Sequence, residues 1–322
     1  GKVYALQFPG QLDADGQKLD FETIYYTLNR LRPAKEPRAG RNVGWDIVGS
    51  GWTRNDRNRP APPVVEPLTQ EACKIPVPAG ATVLDAKQWT NLAWKFDANG
   101  VMPRSKGNNM TKQSYGNARI HLEFRFDPSD DPKWTGQLYG NSGLFLMSGY
   151  ELQIMNGYKN PTFADGICGS VYGQHPPRVN ACRPPGEWQS YDILMKAPIF
   201  GKGGSLEEPM RLTVFHNGRI IHNDTWVYGE VGRAYKAHGK RPLMIQDHKG
   251  TGVSFRNLWV IPDVDYDQAL TPFRSNLSTA VVAATSPARA ESTVAAITIL
   301  PVGMVNNMDK DRNAIITVKE FV

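Results

Sequence analysis

The chain is poor in the residues that build metal and redox centres. Only three of its 322 residues are cysteine, Cys73, Cys168 and Cys182, and their spacing matches no zinc or haem motif. Neither a nucleotide nor a haem cofactor is expected. Long apolar runs are missing too: the most hydrophobic tail stretch, Ser292 to Val305, is too short to cross a bilayer and contains Pro301. No membrane span is expected. Basic clustering is equally scarce, because 37 Lys and Arg against 31 Asp and Glu give a formal charge of +6 that is spread along the chain, whereas nucleic-acid binders gather it on one face among stacking aromatics. Nucleic acid is not expected as a partner. The one local cluster, Arg54, Arg57 and Arg59, is interrupted by Asp56 and followed by prolines, so it reads as a solvated loop.

With three cysteines, one must stay unpaired within the chain. Cys168 and Cys182 bracket a loop rich in Gly and Pro, and a bridge closing about 15 residues is worth roughly 3 kcal/mol in the chain-entropy model. Three buried thiols is the other reading. A bridge implies an oxidising compartment. The chain opens at Gly1 without an apolar signal-peptide core, so either a signal has been removed or this start is not the gene's start.

What the chain does have is turns: 30 Gly and 24 Pro suit an all-β sandwich better than a helical bundle. Strands are expected near 120–126, 143–148, 150–155, 167–172, 188–195, 211–216, 219–223, 243–247 and 253–261. Asn217-Gly218 is a two-residue hairpin signal, because both turn positions need positive φ. Alternation along Ile120–Phe126 puts His121, Glu123 and Arg125 on one face and Ile120, Leu122, Phe124 and Phe126 in a core. In Tyr150–Met155, Glu151 and Gln153 lie opposite Leu152 and Ile154. Acids, arginine, histidine and amide together on one concave sheet face have the composition of a carbohydrate site, although antiparallel sheets often carry a solvated polar face.

Several spaced blocks sharpen this: Asn141-Ser-Gly143, Arg183-Pro-Pro-Gly-Glu-Trp188, His216-Asn-Gly218, Gln246-Asp-His248 and Val253-Ser-Phe-Arg-Asn-Leu-Trp259. From about Ala81 to Pro262 the chain resembles the 3-keto-disaccharide hydrolase domain family. The resemblance implies an all-β, two-sheet antiparallel jelly-roll sandwich of the concanavalin A-like lectin/glucanase type, here with N- and C-terminal extensions. It also implies a glycan partner and a secreted, periplasmic or cell-surface location.

The extensions are read from residue pattern. Residues 1–75 precede the sandwich of 76–262, and in them Asp20 caps a short helix whose stripe is Phe21, Ile24, Tyr25, Leu28 and Leu31. Residues 263–322 form a Ser/Thr/Ala-rich linker and a tail resembling a partial EF-hand loop. There Asp309, Asp311, Asn313, Thr317 and Glu320 fall at liganding positions one, three, five, nine and twelve, while Ala314 stands where the sharp turn wants Gly. Calcium is the divalent cation such a tail would take. Both extensions offer attachment to a partner subunit.

A sugar oxidised at C3 has an acidified C2 proton, so cleaving its glycosidic bond becomes an elimination. That chemistry needs a base near C2, positive charge at the C3 oxygen and a proton shuttle. The candidates are Glu151 or Glu123 as base, Arg125 or a divalent cation at the enolate, and His248 as shuttle. Asn141, Gln153, Tyr172, Gln174 and Gln246 are the candidate substrate contacts. A binding module without proton transfer, or a structural subunit of an extracellular assembly, fits the same residues.

Overall fold

A computed structural model describes residues 2–7, 23–28, 52–73, 75–270 and 319–321. In chain order the described strands are β1 (Lys2–Gln7), β2 (Thr23–Leu28), β3 (Thr82–Val83), β4 (Met102–Pro103), β5 (Asn109–Tyr115), β6 (Ala118–Phe126), β7 (Ser142–Leu146), β8 (Tyr150–Ile154), β9 (Gln189–Lys196), β10 (Ile199–Phe200), β11 (Leu206–Glu208), β12 (Arg211–His216), β13 (Arg219–Trp226), β14 (Arg241–Ile245), β15 (Val253–Pro262) and β16 (Lys319–Phe321). The chain divides into two units, residues 1–36 with 277–322, and residues 37–276.

In the smaller unit β1 pairs antiparallel with β2 on one side and β16 on the other. Thr23–Leu28 is therefore a strand where the apolar spacing predicts a helix. Thr23, Ile24, Tyr25, Tyr26 and Thr27 are all β-branched or aromatic, residues that lose rotamer freedom in a helix and pack well on a pleat. Of the candidate calcium ligands, Glu320 lies in β16 opposite Tyr4, and Asp309, Asp311, Asn313 and Thr317 lie outside the described residues, as does the linker of 275–292.

The larger unit is a two-sheet sandwich. A seven-stranded sheet runs β13-β12-β9-β6-β15-β3, with β4 also on β15, and a four-stranded sheet runs β5-β14-β7-β8. Leu122, Phe124, Tyr191, Ile193 and Phe255 from the first sheet and Leu144, Leu152, Ile154 and Ile245 from the second share one buried core. Alternation places the residues between them on the two outer faces. The Asn217-Gly218 turn adopts the expected conformation, φ 49° and 74°.

Two local readings change. The apolar stretch 167–172 is not a strand: Ala164–Gly166 is a 3-10 turn, and Gly169 at φ 82° breaks the extended path. Conversely β5, whose sequence NMTKQSY is too polar to announce itself, pairs with β14. The prolines before the sandwich dock by backbone hydrogen bonds, Asn180 N to Pro63 O and Leu68 N to Asn217 O.

Candidate functional site

The polar residues expected to converge are split between the two sheets. Glu123 and Arg125 stand on the outer face of the seven-stranded sheet, and Glu151 and Gln153 on the outer face of the four-stranded one. A packed core of roughly 10 Å separates them, so no single site contains both acids. Local alternation was sound, but membership of a sheet is set by pairing with distant strands, and parity says nothing about that.

On the first face the acid is already paired. Glu123 takes hydrogen bonds from Arg256 Nε at 2.6 Å and Asn257 Nδ2 at 2.9 Å. Burial raises its pKa, yet the polar hydrogens of His121, Asn257 and Arg256 outweigh burial and bring it down to about 2. Arg125 and Arg256 stack over Trp188, 4.8 and 4.0 Å from its ring centre. A groove of about 810 Å³ opens here, lined by Cys73, Glu123, Arg183 and Trp188 among others. Arg183 within it donates to Leu68 O, Trp188 O and Asn217 Oδ1. A carboxylate held so firmly ionised is a poor proton carrier, so Glu123 does not give this groove a base for chemistry near neutral pH.

The second face has one. Glu151 is 5 % exposed, and burial pushes its carboxyl up to about 8 against the pull of nearby Arg54. Its neighbours follow from register: Glu151 sits opposite Phe145, which sits opposite Met244, while Gln153 sits opposite Gly143. Gln246 continues the second row through its backbone N–H to Gly143 O at 3.0 Å. Phe145 and Met244 are half-buried, giving an apolar floor beside the acid. Gly143 makes room for it, since a β-carbon there would stand 2.5 Å from Glu151 Oε1.

Amides occupy the next rows of this face. Asn141 donates to Gln137 O at 2.7 Å, and Gln153 donates to Gln137 Oε1 at 3.2 Å, so Gln137 ties the two together. Asn141 Oδ1 and Gln246 Oε1 are buried without a hydrogen-bond partner among the described residues. Buried polar atoms are normally satisfied, and two bare amide oxygens just beyond the ends of adjoining strands suit the hydroxyls of a ligand. Tyr172 N donates to Glu151 O at 3.0 Å, which lays the 169–175 segment along the edge of β8. Gln174, by contrast, uses its side chain on Gly229 O and Tyr228 N, at 2.9 and 2.8 Å, and braces a loop.

His248 does not join Glu151. It lies past the end of β14 with Nδ1 on Lys249 O at 2.8 Å, in a turn clamped by Arg104, whose guanidinium donates to Asn141 O, His248 O and Gly250 O. The solvated-loop reading of the arginine cluster fails for Arg54 and Arg59. Asn55 at φ 59° turns the chain, its N–H bonds buried Asp165 at 2.9 Å, and Arg54 is laid over Tyr172, 4.8 Å from the ring centre. Arg59 donates to Gln174 O at 2.9 Å. Neither Arg54 nor Asp165 was a sequence candidate. The only available signal was an asparagine, tolerant of a left-handed turn, amid the arginines.

All three cysteines are free and buried, which is the three-thiol reading. Cys168, Cys182 and His216 bring their ligand atoms within 4.8 Å of one another. No described helix is long and apolar enough to cross a membrane.

Comparison with known proteins gives the family. A candidate glycosyl hydrolase from Parabacteroides distasonis shares 35% identity at a TM-score of 0.54, over 62% of this chain and 92% of its own. A second from the same organism shares 19% at 0.41, over 62% and 98%. Carbohydrate-binding module CBM66 from Bacillus subtilis shares 11% at 0.26, over 56% and 93%, too distant to bear on function. No curated protein matches. The family description 3-keto-alpha-glucoside-1,2-lyase-like domain matches residues 44–261, starting upstream of the turn that carries Arg54. With more than half its length matched, the chain belongs to the 3-keto-alpha-glucoside-1,2-lyase-like domain family.

Proposed function

We propose that the chain cleaves 3-keto-glycosides by elimination, or by hydrolysis completed through water addition, on the outer face of the four-stranded sheet. The observation carrying this reading is Glu151: a carboxyl pushed to about 8 by burial, beside an apolar floor and two unpartnered amide oxygens. A carboxylate of that basicity is matched to removing a carbon-bound proton near neutral pH. Glu151 takes the C2 proton and the electron pair moves toward the C3 oxygen; the pair then returns to form the C1–C2 double bond as the bond from C1 to the leaving oxygen breaks, and that oxygen takes a proton from water. Arg54, the nearby positive charge, replaces Arg125 in balancing the enolate. Asn141 and Gln246 accept sugar hydroxyls, and Phe145 and Met244 meet the apolar side of the ring.

Family membership supports the same chemistry, and the 35% identical Parabacteroides protein is itself described as a candidate glycosyl hydrolase. The test is a 3-keto-disaccharide incubated in heavy water. Deuterium entering C2 of recovered substrate or product, and absent with Glu151→Gln, is the expected result; cleavage without exchange and undiminished by Glu151→Gln would exclude this base. A binding module is the second reading, favoured by the near-complete cover of Glu151; calorimetry showing saturable binding without turnover would establish it.

A further inference from the structure

Beneath the segment that edges the candidate site lie two thiols that neither the proposed chemistry nor the family membership uses. Cys168 Sγ, Cys182 Sγ and a His216 ring nitrogen lie within 4.8 Å of one another, all buried. Cys168 Sγ is 3.1 Å from Tyr191 Oη, which donates to Gln153 O at 2.7 Å. Gly157 clears the space in front of Cys182, since a β-carbon there would be 2.8 Å from its sulfur. Cys73 stands apart, its sulfur against the Arg183 guanidinium at 3.5 Å.

We propose that Cys168 and Cys182 are a disulfide-forming pair that ties the 164–175 segment, and with it Tyr172, to the segment carrying Asn180. The backbone around Cys168 is already stitched to the edge strand, Gly169 N to Gln153 O and Gln153 N to Ser170 O, both 2.9 Å. On the other side Cys182 N bonds Asn180 Oδ1 at 3.1 Å, and Asn180 Nδ2 bonds Gly157 O at 2.8 Å. A covalent link between the sulfurs therefore joins two segments whose positions are independently fixed.

The chemistry balances as two thiol–disulfide exchanges with a small-molecule disulfide. One cysteine, as its thiolate, attacks the oxidant and expels one thiolate; the other then gives up its proton, attacks the first cysteine's sulfur and expels the second. Two thiols of the protein are oxidised and one disulfide is reduced to two thiols. Since both sulfurs are buried in the folded protein, the reaction belongs to folding, before the core closes.

His216 makes a metal site the alternative to a bridge. Burial, with the Arg183 charge nearby, holds its imidazole down at about 3, so it is neutral and would be a competent ligand; bound zinc is the competing outcome.

The experiment refolds the whole reduced chain in a mixture of reduced and oxidised glutathione. Thiol titration in denaturant is expected to find one thiol, Cys73, and three after reduction, with the unreduced protein lighter by two hydrogens. Its melting temperature should fall by roughly 6–12 °C on reduction. The double variant Cys168→Ala, Cys182→Ala should show no such fall, and each single variant no mass change. Three thiols after refolding, a bridge that includes Cys73, or stoichiometric zinc with both thiols reduced would each overturn the proposal. None of these readouts depends on the proposed function.

Discussion

At the scale of single residues, two glutamates of the same parity meet opposite fates because their surroundings differ. Glu123 is surrounded by donors and is held near 2, whereas Glu151 is buried with one nearby cation, Arg54, and is held near 8. The first is a structural ion, and replacing it tests that. Glu123→Gln leaves Arg256 without its partner and should cost about 2 kcal/mol at pH 7, read by urea unfolding, while turnover per folded molecule stays unchanged. The sequence marked both acids as polar positions on strands, which alternation makes legible. It could not rank them, since a carboxyl's pKa depends on groups brought in from elsewhere: Arg256 and Asn257 for one, the 52–59 turn for the other.

At the scale of elements, the site is a strand edge with two segments laid along it. The 169–175 segment hydrogen-bonds the backbone of β8, and the turn at Asn55 holds Arg54 over Tyr172. Gly143 in β7 leaves the room that the Glu151 carboxyl fills, so Gly143→Ala should displace that carboxyl while leaving the ladder intact. The expected outcome is at least a tenfold loss of kcat with an unaltered far-UV spectrum, at a stability cost of about 1–3 kcal/mol. Strand positions were largely legible, because Val, Ile, Phe and Leu at every second residue announce a half-buried strand. Other elements were not, and three of them show why. Thr23–Leu28 carries helical spacing on strand-forming residues, 167–172 carries an apolar run broken by Gly169, and Asn109–Tyr115 hides a strand behind polar side chains.

At the scale of the whole molecule, the sandwich buries titratable groups that work against one another as pH changes. His216 and His222 are held down at about 3 and 4 by burial, so the stability they allow is present above pH 6.5 and is lost as pH falls, the unfolded chain taking up protons first. Glu151 acts in the opposite direction: its raised pKa means stability is full below about 4.5 and declines as pH rises through about 8. Below 6.5 these two histidines outweigh the glutamate, and above it their contribution is complete. Unfolding free energy should therefore peak near pH 6.5. In Glu151→Gln the decline between pH 6.5 and 8.5, about 2 kcal/mol in the wild type, should disappear. A wild-type profile that keeps rising through pH 8 would mean the carboxyl is not buried as described.

The claim that matters most is that the four-stranded sheet, not the groove over Glu123, performs the chemistry. Steady-state cleavage of a 3-keto-disaccharide by wild type, Glu151→Gln and Glu123→Gln, measured against pH, tests it most directly. The account predicts kcat rising with pH through an inflection near 8 in wild type, a fall of at least a hundredfold in Glu151→Gln, and a wild-type profile in Glu123→Gln. Activity that survives Glu151→Gln and vanishes with Glu123→Gln would contradict it and move the site to the other face.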